Sequence, residues 1–217
     1  MMAIDQQQLN QADQIDLTRC YAKLDRSLIE RKRRRNLIAV AAVRAGDDSP
    51  WLVLRVMTGR ETDVRDALDT VGIETLVPMK MGKERRRGNK KLPAQREPVF
   101  IGYILARCII CNEALAALLG FEYVLGMLGG NDSPHLIANE KINNFNQKAD
   151  EGHYDYEVPQ QVFRRGMKVM IREGIFAGST GEIVSGSHTG KGNAVVDINF
   201  FGRSTPAIMP LAILAPL

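Results

Sequence analysis

Six glycines between residues 174 and 192 (Gly174, Gly178, Gly181, Gly186, Gly190 and Gly192) constrain this chain more than any other feature. A glycine inside a helix costs about 1 kcal/mol relative to alanine, so a long helix is disfavoured in the last quarter of the sequence. The runs around these glycines, Met167–Arg172, Gly181–Val184 and Ala194–Phe200, are apolar or alternating, which is the pattern of strands. Short strands divided by Gly-rich turns predict a small curved β-barrel over residues 161–217. The stretch from Gly186 to Gly192 sits between two of these strands and reads as a hairpin loop.

Residues 50–145 have a different pattern, that of a compact α/β unit. Trp51–Met57 is a short run of strand formers. Thr58 and Glu61 have the spacing of a capping box, Val64, Leu68 and Val71 follow at helical period, and Gly72 stands where a C-terminal cap belongs. Strands are expected over 73–79, 99–110 and 121–128, with Pro98 at the start of the second, where its missing donor does least harm. A short helix is expected over 112–119 and a weaker one over 137–145.

Residues 146–160 are polar and aperiodic, which predicts a linker. Residues 1–49 form an extension. Leu17, Tyr21, Leu24 and Leu28 make one stripe of a helix, and a basic cluster follows at Arg31–Arg35. The stripe leaves three options open: packing on the α/β unit, pairing with a partner helix, or lying free. The expected fold class is α+β, a mainly antiparallel sheet with flanking helices joined by the linker to the barrel.

The 217 residues carry a net charge of +4, concentrated in one place. Residues 80–97 hold eight Lys or Arg against Glu84 and Glu97, a local +6 that leaves the rest of the chain at −2. A concentrated positive loop attracts polyanions and adds little to folding. A solvated loop with no partner is the plainer reading of such a run.

The chemistry of an enzyme is missing. His135, His153 and His188 lie far apart, and no phosphate-binding P-loop occurs. Cys108 and Cys111 form a C-x-x-C with no second pair to complete a zinc site, and they read as structural thiols. Neither catalytic residues, a metal nor a cofactor is therefore expected. With three cysteines, no apolar run of about 18 residues and a polar Met1–Gln14, the expectation is a cytoplasmic protein without a membrane segment.

Several motifs in order carry a resemblance. Trp51-Leu-Val-Leu, Gly59-Arg60-Glu61, Val77-Pro78, Glu97–Leu105 with its Phe100-Ile-Gly-Tyr103, and Val124–Gly130 resemble the N-terminal domain of the NusG transcription elongation factors. Phe163-x-x-Gly166, Gly174-x-Phe176-Ala177 and Phe201-Gly-Arg-Ser-Thr-Pro206 are similar to the KOW module of the same family. The resemblance implies a monomeric, non-enzymatic factor that lays an apolar surface on the clamp coiled coil of RNA polymerase, across the DNA cleft, and suppresses pausing or termination. It puts Tyr103, Leu105, Phe100 and Arg55 near that surface. Strand parity sets Tyr103 and Leu105 on one face and Phe100 on the other; burial in the core remains an alternative role for all three. The resemblance also aims Arg85, Arg86, Arg87, Lys90 and Lys91 at upstream or non-template DNA.

The resemblance implies that Ile175 and Phe176 of the KOW module bind Rho or a small-subunit ribosomal protein, with burial in the barrel as the alternative for Phe176. Ser179 and Gly178 depart from the family pattern at that loop, as Ile101 does where Pro is usual. These departures and the extension point to a specialised paralogue of the RfaH type. A KOW-type RNA-binding or ribosome-associated protein is the alternative from another class.

Overall fold

The computed structural model describes residues 18–43, 45–46, 49–131, 133–186, 189–200 and 202–217. Leu17, His188 and Phe201 of the sequence motifs lie outside them, as does Met1–Gln14. In chain order the elements are α1 (Thr18–Val43), β1 (Trp51–Val56), α2 (Glu61–Asp69), β2 (Glu74–Leu76), β3 (Met79–Met81), β4 (Arg85–Arg87), β5 (Lys90–Leu92), β6 (Arg96–Pro98), β7 (Tyr103–Arg107), α3 (Asn112–Leu118), β8 (Val124–Met127), β9 (Leu136–Ile137) and α4 (Asn139–Asp150). The C-terminal part adds β10 (Lys168–Ile171), β11 (Thr180–Ser185), β12 (Asn193–Phe200), β13 (Arg203–Pro210), a 3₁₀ turn (Leu211–Ile213) and β14 (Leu214–Pro216). The architecture is α+β, with antiparallel sheets and four α-helices among the described residues.

The first sheet runs β2-β7-β1-β8, with β9 also paired to β1. Alternation along β1 and β7 decides what each face meets. Leu52, Leu54, Ile104 and Ala106 point to one side, where α1, α2 and α3 cover them with Ile38, Ala41, Val64, Leu68, Leu115 and Leu118. Trp51, Val53, Tyr103 and Leu105 point to the other side. There they share one apolar core with Ile142 and Phe145 of α4 and with the second sheet. That second sheet runs β13-β12-β11-β10-β14, all antiparallel. The C-terminal glycines do what the sequence demanded: Gly174, Gly178, Gly190 and Gly192 all adopt positive φ in the turns between these strands.

Four local expectations change. The strand expected over 73–79 is broken at Val77-Pro78, and the one expected over 99–110 is shortened to β7. Gly102, at φ +84°, turns the chain just before β7. Because that turn breaks strand parity, Phe100 joins Tyr103 and Leu105 in the same core instead of facing away. The capping box is absent: Arg60 is the N-cap of α2 and makes no side-chain cap bond. Glu61 instead accepts the Gly102 N–H at 2.8 Å, joining α2 to that turn.

The helix expected over 137–145 extends to Asp150, and the chain after it is held at several points. Tyr156 N donates to Met81 O at 2.9 Å, Met81 N to Asp155 Oδ1 at 2.7 Å, and Gln160 N to Gly190 O at 2.7 Å. At the other end of the chain, α1 docks only through its C-terminal half. Ile38 and Ala41 are buried, Ile109 N donates to Ala41 O at 3.1 Å, and Arg34 Nη1 donates to Gly120 O at 3.0 Å. Tyr21, Leu24 and Leu28 are exposed, so the expected stripe does not pack on the first sheet.

Candidate interaction surfaces

Phe100, Tyr103 and Leu105 are all buried, and part of what buries them is the second sheet. Phe176 is 0% exposed and stands edge-on to Tyr103 with centroids 5.3 Å apart. It meets Phe100 at 5.9 Å and Phe200 at 5.7 Å in the same geometry. Phe100 stacks on Phe145, and Phe145 on Tyr154. Each such pair contributes about 0.5–1.5 kcal/mol beyond the apolar area it buries. Ile175 is buried beside Phe176. The residues singled out for two different partners therefore cover each other. Gly174 lies tight against the rings: at its φ of +87°, a Cβ would lie 2.5 Å from Phe100 Cζ and 3.1 Å from Phe145 Cε2.

Arg55 lies opposite Tyr103 on β1 and is exposed at the rim of this apolar seam. Burial pushes the Tyr103 hydroxyl above its usual pKa, and the Arg55 charge partly opposes the shift. Two polar clamps close the seam. Glu173, from the turn after β10, accepts from Lys148 Nζ at 2.7 Å and from Tyr154 Oη at 2.9 Å. Lys80 on β3 is fully buried, donates to Asn193 Oδ1 at the start of β12, and lies 3.4 Å from Glu97. Burial lowers the Lys80 pKa, with Glu97 opposing the shift.

The basic segment folds as a hairpin of β4 and β5, closed by Gly88 and Asn89, with Gly88 at φ +61°. Arg85, Arg86, Arg87, Lys90 and Lys91 are all exposed. Arg86 stands opposite Lys91 and Arg87 opposite Lys90. Like charges directly across a ladder repel, and none of the five has an ion pair among the described residues. The other cations of the segment are committed elsewhere: Lys80 to Glu97, Lys83 over the Tyr156 ring at 5.6 Å, and Arg96 to Asp150 at 3.9 Å. The hairpin is thus a concentrated, uncompensated positive tip.

Residues 49–146 match the family model described as transcription termination factor nusG. Over these residues the chain carries a NusG domain. The family that this domain typifies is one of transcription factors. Among solved structures, the chain is similar to NusG of Thermotoga maritima, in a structure of its domain interaction. The identity is 22%, the TM-score 0.41, and the coverage 79% of this chain and 99% of the other. It is also similar to a chain of the MjSpt4:Spt5 complex in conformation A, at 15% identity and a TM-score of 0.23, covering 77% and 97%. No curated protein matches the chain.

The NusG domain so defined contains both the apolar face of β1 and β7 and the basic hairpin. The part of the cover over that face that runs from Phe163 to Leu214 lies outside the match. Sequence reasoning missed Phe145, Tyr154, Phe200, Glu173 and Lys80 as seam residues. The one available signal was the presence of Tyr154 and Tyr156, aromatic residues, in an otherwise polar linker. Among the described residues no His, Cys, Asp and Glu cluster could hold a metal, and no helix is long and apolar enough to cross a membrane. Cys108 is buried and its thiol is pushed up to about 11, chiefly by burial, whereas Cys111 is exposed.

Proposed function

We propose that this chain is a transcription elongation factor whose NusG domain binds the clamp of RNA polymerase through Tyr103, Leu105, Phe100 and the rim cation Arg55. The observation that carries the reading is the composition of this face. Its three side chains belong to the NusG domain, yet they are covered partly by residues 161–217 and not by the domain's own α1–α3 layer. An apolar face completed by a second unit is suited to exchange one cover for another. Polymerase binding then requires the C-terminal sheet to leave. The equilibrium between the closed arrangement and an open one sets the apparent affinity. Holding the clamp shut would favour forward translocation over pausing, with no chemical step by the factor itself.

On this reading the hairpin contacts the phosphates of upstream or non-template DNA. It carries no aromatic side chain for base stacking, so binding there is salt-dependent and largely blind to sequence. Once released, the C-terminal sheet, read as a KOW barrel, offers Ile175 and Phe176 to a further protein of the Rho or ribosomal class. The test is transcription in vitro with the cognate polymerase, scored for pause lifetimes. Shortened pauses with the wild-type chain, reduced by Tyr103→Ala, are expected. Unchanged pausing together with capture of ribosomal RNA from extract would favour the RNA-binding alternative.

A further inference from the structure

A cleft of about 700 Å³ opens between α4 and the turn that follows β10, so one wall belongs to the NusG domain and the other to the C-terminal sheet. We propose that this cleft binds a small phosphorylated anion of nucleotide size, which holds the two units together. Its volume lies in the range of small-molecule sites. Its charge is one-sided. Lys141 reaches the cleft from α4 and Arg172 from the end of β10, and neither has an ion-pair partner among the described residues. Glu173 is the one carboxylate among the lining residues, and Lys148 and Tyr154 already hold it.

Two cationic charges are left facing a shared space from opposite walls. A phosphate or diphosphate group, with about two negative charges near neutral pH, would neutralise both. Beside the polar Asn144 and the paired Lys148, the lining offers an apolar stretch of Leu136, Ile137, Phe145 and Ala177, which suits the ring of a nucleoside better than a second charged group. His135 stands at the edge with its ring against Phe200 at 5.2 Å. Burial and the nearby Lys141 lower its pKa, so it adds a polar edge without a third charge.

Because the two walls come from different units, a ligand that needs both binds only the closed arrangement and stabilises it by mass action. Any effect on polymerase then follows by reciprocity, and that step alone rests on the proposed function. The test is calorimetric titration of the full chain with inorganic pyrophosphate and with GDP. Both probes are expected to bind, GDP about tenfold tighter through the apolar wall, and each to raise the melting temperature.

Lys141→Gln and Arg172→Gln lie at exposed positions and leave the fold intact. Each should weaken both probes about tenfold, or roughly 1.4 kcal/mol, while Lys91→Gln in the hairpin leaves the affinity for both probes unchanged. The absence of binding heat for both probes would overturn the proposal. So would weakening by Lys91→Gln equal to that by Lys141→Gln, which would put the anion on the hairpin. If GDP binds as expected but does not lower polymerase affinity, the covered-face reading fails and the site stands.

Discussion

Phe176 touches rings from both halves of the molecule, and its loss should be felt in both. Truncating a fully buried phenylalanine costs about 3–5 kcal/mol, so Phe176→Ala should lower the urea midpoint and loosen the seam before the α1–α3 layer. Hydrogen exchange would show this as lost protection at β10 and β11. Lys80 makes a different prediction. Its pKa in the folded chain is lowered by burial, so the unfolded chain binds more protons as pH approaches the ordinary lysine value of 10.5. Stability from this group therefore rises with pH towards 10.5. Lys80→Met should abolish that rise, and the difference between the urea midpoints of the two proteins from about pH 7 to pH 9.5 isolates it from groups common to both, Cys108 among them. Cys108, at 1% exposure and with its thiol pushed up to about 11, should resist modification. A thiol reagent near pH 8 should count Cys20 and Cys111 in the native chain, and Cys108 only after unfolding.

At the scale of elements, the β4–β5 hairpin carries the sharpest expectation. Arg86 and Lys91 repel each other across the ladder, so Arg86→Gln with Lys91→Gln should leave stability unchanged or slightly raised. The same pair of substitutions should weaken DNA binding and flatten its salt dependence by about one to two counterions, read from log K against log salt. Elements were legible where one physical cause dominated. The C-terminal strands followed from glycine spacing, and α2 from its apolar period. The parity of Tyr103 and Leu105 followed from strand geometry. The failures share a cause: local pattern was outvoted by distant contact. Glu61 was free to cap its own helix and instead joined Gly102. Phe100 was assigned by a parity count that a turn had already broken. The polar stretch after α4 reads as a linker until Tyr154 stacks on Phe145 and Tyr156 N donates to Met81 O.

For the whole molecule, one arrangement accounts for the burial of both predicted partner surfaces. The apolar face on β1 and β7 and the Ile175–Phe176 loop were each read from sequence as sites for something else, and the fold sets them against one another. No pattern local to either segment could have revealed that, because complementarity between two distant patches is a property of the assembled chain. On the proposed function its consequence is a tax on binding: polymerase would meet only the open fraction, and the apparent Kd would be the intrinsic one divided by that fraction. The direct measurement is the affinity of the full chain for an assembled elongation complex, compared between wild type and Phe176→Ala, with the C-terminal strands of the variant verified by circular dichroism. The variant is expected to bind at least about tenfold tighter. Equal or weaker binding by a folded variant would contradict it.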